Sequence, residues 1–256
     1  KCTRGLGVKV AVISLFPEMF DAISRHGVSG RAFENGLIEL RLFNPRNYAD
    51  GPHQSVDGRP YGGGPGMVMM AEPLSRALAD SKEWMGSTCH RVVYMSPQGK
   101  VFKQEQLKGF ESSEGFILIA GRYEGVDERF IKQRVDEEWS IGDYVLSGGE
   151  LPAMVVLDAL IRIIPGALGH AQSAQEGSFS QGMLGHPQYT RPASFAGERV
   201  PAVLLSGNHE QVRLWRLKCS LKRTRDRRPE LLEALMLDPE KKKLLEAMGK
   251  DFDVNC

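Results

Sequence analysis

The order of apolar and polar residues predicts alternating strands and helices over the first two thirds of the chain. Residues 8–15 are nearly continuous in apolar character and rich in valine and isoleucine, which is typical of a strand buried in a parallel sheet. Three similar runs predict further strands, at 37–43, 90–95 and 115–120. Apolar residues at helical spacing predict four helices, beginning at Pro17, near 72–84, near 126–135, and over 151–164. This alternation predicts an α/β domain with a mostly parallel sheet.

The pattern changes at about residue 168. The segment 166–185 is rich in Gly, Ser, Gln and Ala and holds few large apolar residues, so it predicts a mobile linker. Beyond Arg191-Pro192 the pattern is helical, with Ser206 as the expected N-cap of a long helix and later helices beginning at Pro229 and Pro239. We therefore expect an α/β domain at 1–168, a flexible linker at 169–186 and a small all-helical domain at 187–256.

Composition and charge exclude only a few classes of protein. The chain of 256 residues is 41% hydrophobic and 25% charged, as in soluble globular proteins, and its net charge of +1 excludes a polycation that coats nucleic acid. The apolar stretch 151–168 is interrupted by Asp158 and Arg162 and is too short to span a bilayer. The four cysteines are scattered, so neither a disulfide framework nor a zinc site is predicted. We expect a cytoplasmic protein with no membrane partner.

The first segment with candidate chemistry is the loop 59–67, which consists mostly of glycine and proline. Such a loop allows the backbone to approach a ligand closely, although a long tight connection without a ligand gives the same pattern. The GxGxxG spacing of dinucleotide-binding proteins is absent, and no Gly-Lys-Ser/Thr of a Walker A loop occurs in the chain. The segment therefore predicts close backbone contact with a ligand of another kind, or none.

Two further segments combine glycines with polar side chains where strands are predicted to end. Gly121-Arg122-Tyr123-Glu124-Gly125 follows the run 115–120, and ligands of open parallel sheets bind at the carboxyl ends of strands. The alternative for this segment is a turn whose charges are only solvated. The segment 140–150 mixes short apolar pieces with glycines, so its backbone groups can read the edge of an adenine. Gly148-Gly149 also precedes a predicted helix, whose N-terminal amides suit an anionic group.

Charged residues on two predicted helices have both structural and functional interpretations. Asp158 and Arg162 are four residues apart, which predicts an ion pair, yet Arg162 also lies beside the linker where it can meet a ligand. Between 213 and 228 there are eight Lys and Arg residues and one acidic residue, Asp226. This density favours binding to a phosphate backbone over an ordinary solvated helix face.

Several long contiguous segments resemble the bacterial tRNA (guanine-N1)-methyltransferases, the TrmD branch of the SPOUT superfamily. The resemblance covers nearly the whole chain and rests on 12–20, 59–67, 96–99, 121–129, 136–152, 189–192 and 215–217. It implies methyl transfer from S-adenosylmethionine to N1 of the guanine immediately 3′ of the anticodon (position 37), which supports reading-frame maintenance. It also implies a trefoil knot in the α/β domain and a homodimer that shares its active sites, with tRNA as the partner.

The resemblance also implies two sets of binding residues. The S-adenosylmethionine pocket would comprise Tyr94, Met95, Ser96, Pro97, Gln98, Gly121, Tyr123, Ile141, Gly142, Asp143, Tyr144, Val145, Leu146, Gly148, Gly149 and Pro152, with backbone groups around 141–146 holding the adenine. The tRNA substrate would be bound by Asp57, Pro65, Gly66, Ser178, Arg191, Arg216, Lys222 and Arg223.

The reaction needs three things: removal of the N1 proton, stabilisation of charge on O6, and an in-line sulfonium methyl group. The resemblance assigns Arg162 to O6 and makes Glu124 an active-site carboxylate, where Mg²⁺ can also take part. However, the family's aspartate base is Gly177 here, and Gly185 stands where the family often has an acidic residue. We expect Glu176 to accept the proton, with Glu124 as the alternative acceptor or a slow enzyme as the consequence.

Two other functions are compatible with these residues. The absence of the aspartate at Gly177 favours a homologue that binds tRNA and S-adenosylmethionine but has weak or lost catalysis, whereas the intact pocket segments argue against it. A related SPOUT enzyme with a different target base would need different loops, and the segment 59–67 argues against that.

Overall fold

The computed structural model describes residues 7–86, 89–107, 114–168, 177–179, 181–235 and 237–247, and the statements below concern these residues. The chain divides into two compact units, Lys1–Gly169 and His170–Cys256. The predicted domain boundaries, with a separate linker at 169–186, remain a prediction.

The first unit is built on a five-stranded parallel sheet. The strands of this unit are β1 (Val8–Ile13), β2 (Ile38–Phe43), β3 (Asp57–Gly58), β4 (Val68–Met69), β5 (Cys89–Val101), β6 (Glu114–Ala120) and β7 (Glu137–Ser140). The large sheet has the order β2-β1-β6-β5-β7 and every neighbouring pair is parallel, while β3 and β4 form a small antiparallel pair. All carboxyl ends of the large sheet therefore lie at one edge.

Helices of the first unit follow the strands closely. They are α1 (Asp21–Ser24), α2 (Gly27–Glu34), α3 (Ala71–Met85), α4 (Glu128–Arg134) and α5 (Glu150–Ile161), with 3-10 turns at Pro17–Phe20, Pro45–Tyr48 and Gln104–Leu107. Local sequence explains several ends. Asp127 caps α4 by accepting a hydrogen bond from Arg129 N, and α3 ends at Gly86, whose φ is +62°.

Side chains of the central strands alternate between two hydrophobic cores, one on each face of the sheet. From β6, Phe116 and Leu118 pack in the core that contains α5, whereas Ile117 and Ile119 pack in the core that contains α3 and α4. All four are fully buried. Because both faces are covered, the strand reads as a continuous apolar run rather than an alternating one, which is why 115–120 was predictable from sequence.

The described residues of the second unit form four helices and one hairpin. Its elements are β8 (Ser194–Phe195), β9 (Glu198–Arg199), α6 (Ala202–Leu205), α7 (His209–Arg227), α8 (Pro229–Glu233) and α9 (Pro239–Ala247). The hairpin contradicts the expectation of an all-helical region beyond Arg191-Pro192. Met183, in the segment predicted to be a mobile linker, is buried against Leu221 in the core of this unit.

One local prediction was wrong, and two local features were not anticipated. Ser206 does not cap the long helix α7, because Asn208 accepts the hydrogen bond from Gln211 N while Ser206 ends α6. Strand β7 was not predicted, since its sequence Glu-Glu-Trp-Ser is short and half charged. Cys219 is disulfide-bonded, although no disulfide framework was expected.

No helix in the described part of the chain is long and apolar enough to cross a membrane.

The burial of β6 predicts the effect of truncating its side chains. Replacing Leu118, which is fully buried, with alanine should lower the free energy of unfolding by about 2–5 kcal/mol, because a cavity is left in the core. Val145→Ala is the control, since Val145 is 99% exposed, and it should change the unfolding free energy by less than about 0.5 kcal/mol. Urea unfolding followed by circular dichroism measures both, and equal effects would contradict this account of the core.

Candidate active site

Three loops meet at the carboxyl edge of the large sheet and enclose a cavity of about 280 Å³. They follow or interrupt β5, β6 and β7, the three strands at one side of the sheet. This is the position at which open parallel sheets bind ligands. The cavity lies entirely within the first unit.

The first loop is a bulge inside β5. Met95 and Lys100 both pair with Trp139 of β7, so Ser96-Pro97-Gln98-Gly99 leaves the ladder between them. Ser96 Oγ accepts a hydrogen bond from Gln98 N at 3.2 Å, which fixes the bulge. A Cβ on Gly99 would lie 2.4 Å from the carbonyl carbon of Glu138, so only glycine fits where the chain rejoins the sheet.

The second loop begins where β6 ends. A Cβ on Gly121 would lie 2.7 Å from the ring of Tyr94, so this glycine allows the tyrosine to pack beneath the loop. Tyr94 is 7% exposed, and burial raises the pKa of its phenol, which keeps it neutral in the floor of the cavity. Tyr123 adopts a positive φ of 60°, the left-handed region that a non-glycine residue seldom occupies. The loop is thus a tight turn held against the cavity.

The third loop, residues 140–149, is held largely by its own backbone. Ser140 Oγ accepts from Gly142 N and donates to Gly142 O, each at 3.1 Å, and Tyr144 N donates to Gly142 O at 2.9 Å. The loop ends at Gly149, whose N–H donates to Gly121 O at 2.8 Å. The amides of Gly142 and Tyr144 are therefore already used, and so is Gly142 O, which accepts two hydrogen bonds.

A buried ion pair lies behind the second and third loops. Glu150, the first residue of α5, is fully buried and accepts hydrogen bonds from Ser14 Oγ and from Arg122 Nε, both at 2.9 Å. Arg122 also donates to Ser147 O at 3.2 Å, and its guanidinium lies 4.5 Å above the ring of Phe16. The network joins the end of β1, the end of β6, the third loop and α5.

The glycine-rich loop 59–67 packs against the second loop rather than standing apart from it. Glu124 N donates to Met67 O at 2.8 Å, and Met69 N donates to Gly125 O at 2.9 Å. A Cβ on Gly66 would lie 2.4 Å from the carboxylate oxygen Oε1 of Glu124. Gly66 also has a φ of +82°, a backbone conformation that favours glycine. Both this conformation and the lack of space for a side chain therefore favour glycine beside Glu124.

The structure brings together nearly all of the predicted donor-binding residues. The cavity is lined by Tyr94, Met95, Ser96, Pro97, Gln98, Gly121, Tyr123, Ile141, Gly142, Tyr144, Val145, Leu146, Gly148, Gly149 and Pro152. Asp143 belongs to the third loop but does not line the cavity. Glu124 lines it, as expected for a residue at the reacting centre. The site residues predicted from sequence omit five residues that line the cavity: Arg122, Gly125, Trp139, Ser140 and Ser147. Of these, Arg122 carries the signal of a charge directly after an apolar strand.

Arg162 lies away from the cavity of its own chain. It is exposed and caps the far end of α5, while Gly149 at the other end touches the cavity. At 1.5 Å per residue these two residues are about 20 Å apart along the helix axis. Within the described residues Arg162 has no ion-pair partner, so the alternative of a pair with Asp158 is not observed.

A second cavity, of about 430 Å³, lies within the second unit. Gly177 and Gly185, the two positions where acidic residues were expected, both line it, together with Arg216. Ser178 Oγ accepts a hydrogen bond from Gly185 N at 3.0 Å, which holds the two glycine positions together. Glu176, predicted as the substitute proton acceptor, lies outside the described residues.

Intramolecular pairing neutralises part of the basic helix α7. Arg213 pairs with Glu210 and Glu240, Lys222 and Arg225 pair with Asp226, and Arg228, just beyond the helix, pairs with Glu230. In contrast, no ion pair of the described residues involves Arg216, Arg223 or Arg227, which are spaced at i, i+7 and i+11 and so share one face. Arg191, another predicted tRNA contact, is exposed. Trp215 is buried between Tyr189 and His186 and serves the core.

The described residues contain no group of three or more His, Cys, Asp or Glu side chains that could hold a metal ion. This part of the chain therefore offers no protein cage for Mg²⁺.

The architecture and this cavity define an α/β protein that binds a ligand across loops at the carboxyl edge of a parallel sheet. Residues 8–234 match the family described as tRNA (Guanine-1)-methyltransferase TrmD. A relative named tRNA (guanine-N(1)-)-methyltransferase from Stutzerimonas stutzeri (strain A1501) is 58% identical over 93% of this chain and 95% of the relative. Another of the same name, from Pseudomonas entomophila (strain L48), is 55% identical over 96% of this chain and 98% of the relative. The relative from Pseudomonas aeruginosa (strain LESB58) is 57% identical over 92% of this chain and 94% of the relative.

The chain belongs to the TrmD family of tRNA (guanine-1)-methyltransferases.

The contact between Gly66 and Glu124 yields a prediction with a matched control. Gly66→Ala should slow the methylation of tRNA at least tenfold, because the new methyl group displaces the Glu124 carboxylate. Gly62→Ala is the control, since Gly62 has a similar φ of +85° but nothing within 4 Å of its Cβ position. Both variants bear the same backbone strain, of about 1 kcal/mol. Equal rates in the two variants, measured at saturating tRNA and S-adenosylmethionine, would contradict a role for this contact.

Proposed function

We propose that this protein transfers the methyl group of S-adenosylmethionine to N1 of the guanine immediately 3′ of the tRNA anticodon. The observation that carries the proposal is the cavity at the carboxyl edge, which gathers fifteen of the sixteen predicted donor-binding residues in one place. Family membership supports the reaction class.

The chemistry of the cavity suits the methyl donor. Its walls combine glycine backbone with apolar and polar side chains, and carbonyls of the third loop can accept from an adenine amino group. When bound, S-adenosylmethionine supplies an electrophilic methyl group on a sulfonium. The protein's task is to hold that methyl group in line with the attacking nitrogen and to exclude water.

The acceptor half of the reaction needs a proton acceptor and a group that stabilises O6. As the N1–H bond breaks, the nitrogen lone pair attacks the methyl carbon and the carbon–sulfur electrons return to sulfur. Arg162, free of a carboxylate partner among the described residues, is suited to stabilise the negative charge on O6. Glu124 lies at the cavity, and Glu176 is the proposed acceptor of the N1 proton.

We further propose that two chains share each active site. Arg162 is about 20 Å along α5 from its own donor cavity, too far for one arginine side chain to act there. An apolar surface lies around the cavity mouth and α5, where Phe16, Val145, Leu146, Leu151 and Val155 are each at least 40% exposed. A second copy that covers this surface would bury it and bring another Arg162 to the site.

The face of α7 that carries Arg216, Arg223 and Arg227 supports the proposal that the second unit binds tRNA. Cationic side chains without carboxylate partners are available to bind phosphates, whereas paired cationic side chains must first break their ion pairs. Lys222 is partly engaged by Asp226 at 3.7 Å and should contribute less. A tRNA substrate places the protein in the cytoplasm, and methylation beside the anticodon would support the reading frame.

The trefoil knot is also part of the proposal. Family membership supports it.

The reaction is tested with labelled S-adenosylmethionine and two tRNA transcripts, one with guanine and one with adenine immediately 3′ of the anticodon. We expect transfer to the guanine transcript only, because adenine N1 carries no proton to remove and has no O6. No transfer to either transcript, by a protein that binds both ligands, would favour the homologue without catalysis. Equal transfer to both would rule out guanine specificity.

The glycine at 177 yields a separate prediction about the proton acceptor. Glu176→Gln should lower the single-turnover rate at least tenfold if Glu176 accepts the proton, since proton transfer to a positioned side chain contributes about 10²–10⁴-fold. An unchanged rate would exclude Glu176. Gly177→Asp should raise the rate several-fold if the wild-type enzyme is slow for want of a base. Gln181→Asp is the control, because it adds a carboxylate to the same cavity wall at a different position.

A further inference from the structure

The buried ion pair between Arg122 and Glu150 has an electrostatic consequence for the ligand bound in front of it. Two charged side chains line the donor cavity, Arg122 and Glu124, whereas Glu150 lies behind Arg122 and does not line it. The Arg122 side chain is 19% exposed and that of Glu150 is 1% exposed. The Arg122 guanidinium therefore faces the cavity with its own counter-charge, Glu150, buried one layer deeper, and the Glu124 carboxylate faces the same cavity.

The Arg122 guanidinium at the cavity wall disfavours binding if the ligand is a cation. S-adenosylmethionine carries a positive sulfonium, and its product S-adenosylhomocysteine carries a neutral thioether at the same position. A guanidinium at the cavity wall repels the first but not the second. In a partly buried site such repulsion between charges about 10 Å apart is on the order of tenfold in affinity at an effective dielectric constant of about 20.

We propose that Glu150 is a specificity-determining residue that cancels the charge of Arg122 and so allows the cavity to accept the cationic donor. This rests on the proposed function, because it takes S-adenosylmethionine as the ligand. Glu150 acts through Arg122 and touches neither the donor nor the tRNA, so it is a positioning and charge-balancing residue rather than a catalytic one.

The geometry makes this role specific to Glu150. Its Oε2 accepts from Arg122 Nε and its Oε1 accepts from Ser14 Oγ, so the carboxylate is fixed from two sides. A Cβ on Gly148 would lie 2.3 Å from Arg122 Nε and 2.6 Å from Glu150 Oε2, so a glycine is required where the loop passes the pair. A charge buried this deeply needs a partner, and Arg122 supplies it.

Binding of both ligands to the full-length protein, measured by isothermal titration calorimetry without tRNA, tests the proposal. Glu150→Gln keeps the shape of the side chain but removes its charge. We expect it to reduce the preference for S-adenosylmethionine over S-adenosylhomocysteine about three- to tenfold. A purely structural role would weaken the binding of both ligands by the same factor, and that result would overturn the proposal.

Two further variants separate charge from loop anchoring. The double variant Arg122→Gln with Glu150→Gln removes both charges, so we expect the wild-type preference to return within about twofold even though both ligands bind more weakly. Failure of the preference to return would overturn the proposal. Asp50→Asn is the control, because it breaks the Arg76–Asp50 pair, 2.8 Å long, whose side chains do not line the cavity. It should leave the preference unchanged.

Circular dichroism establishes whether each variant folds. If Glu150→Gln does not fold, Glu150→Asp is the second test. It keeps the charge but shortens the side chain, so we expect both ligands to bind more weakly while the preference for S-adenosylmethionine stays within about twofold of the wild type, and a loss of that preference would count against the proposal. Wild-type protein that binds neither ligand would instead refute the proposed function itself. The two failures are therefore distinguishable.

Discussion

The packing of α5 against the end of β6 is the constraint on which the rest of the site depends. Gly149 N donates to Gly121 O at 2.8 Å, and a Cβ on Gly149 would clash with Ala120. This contact closes the third loop over the second and buries Glu150 beneath them. Without it, the loops after β6 and β7 would have no common wall, and the cavity between them would not exist.

A parallel sheet with both faces covered makes this convergence possible. Because β1, β6 and β5 run in the same direction, their last residues reach one edge, and the loops that follow them can exchange hydrogen bonds directly. Ser14 after β1 and Arg122 after β6 are far apart in sequence yet meet on the same carboxylate. The rigid core holds the loops, while the loops carry the chemistry.

Sequence alone predicted most strands of the large sheet and the loops that line the cavity, for physical reasons that particular residues illustrate. Strand β6 is apolar at every inner position, so its periodicity is unmistakable, whereas β7 is half charged and pairs through its backbone, so it carried no signal. The loop glycines were visible as a cluster. The contact of Gly66 with Glu124 was not, because it joins segments nearly sixty residues apart through a tertiary fold.

The charged residues also show what cannot be predicted from sequence alone. A count of basic residues on α7 treats all of them alike, but folding pairs Arg213 with two carboxylates, one of them on α9. Folding likewise turns Arg122, apparently a solvated charge after a strand, into one half of a buried pair. The free energy of a charge depends on its partners and its burial, and neither can be read from the position of the residue in the sequence. The environment of Arg122 at the cavity can therefore be understood only once the buried carboxylate of Glu150 behind it is known.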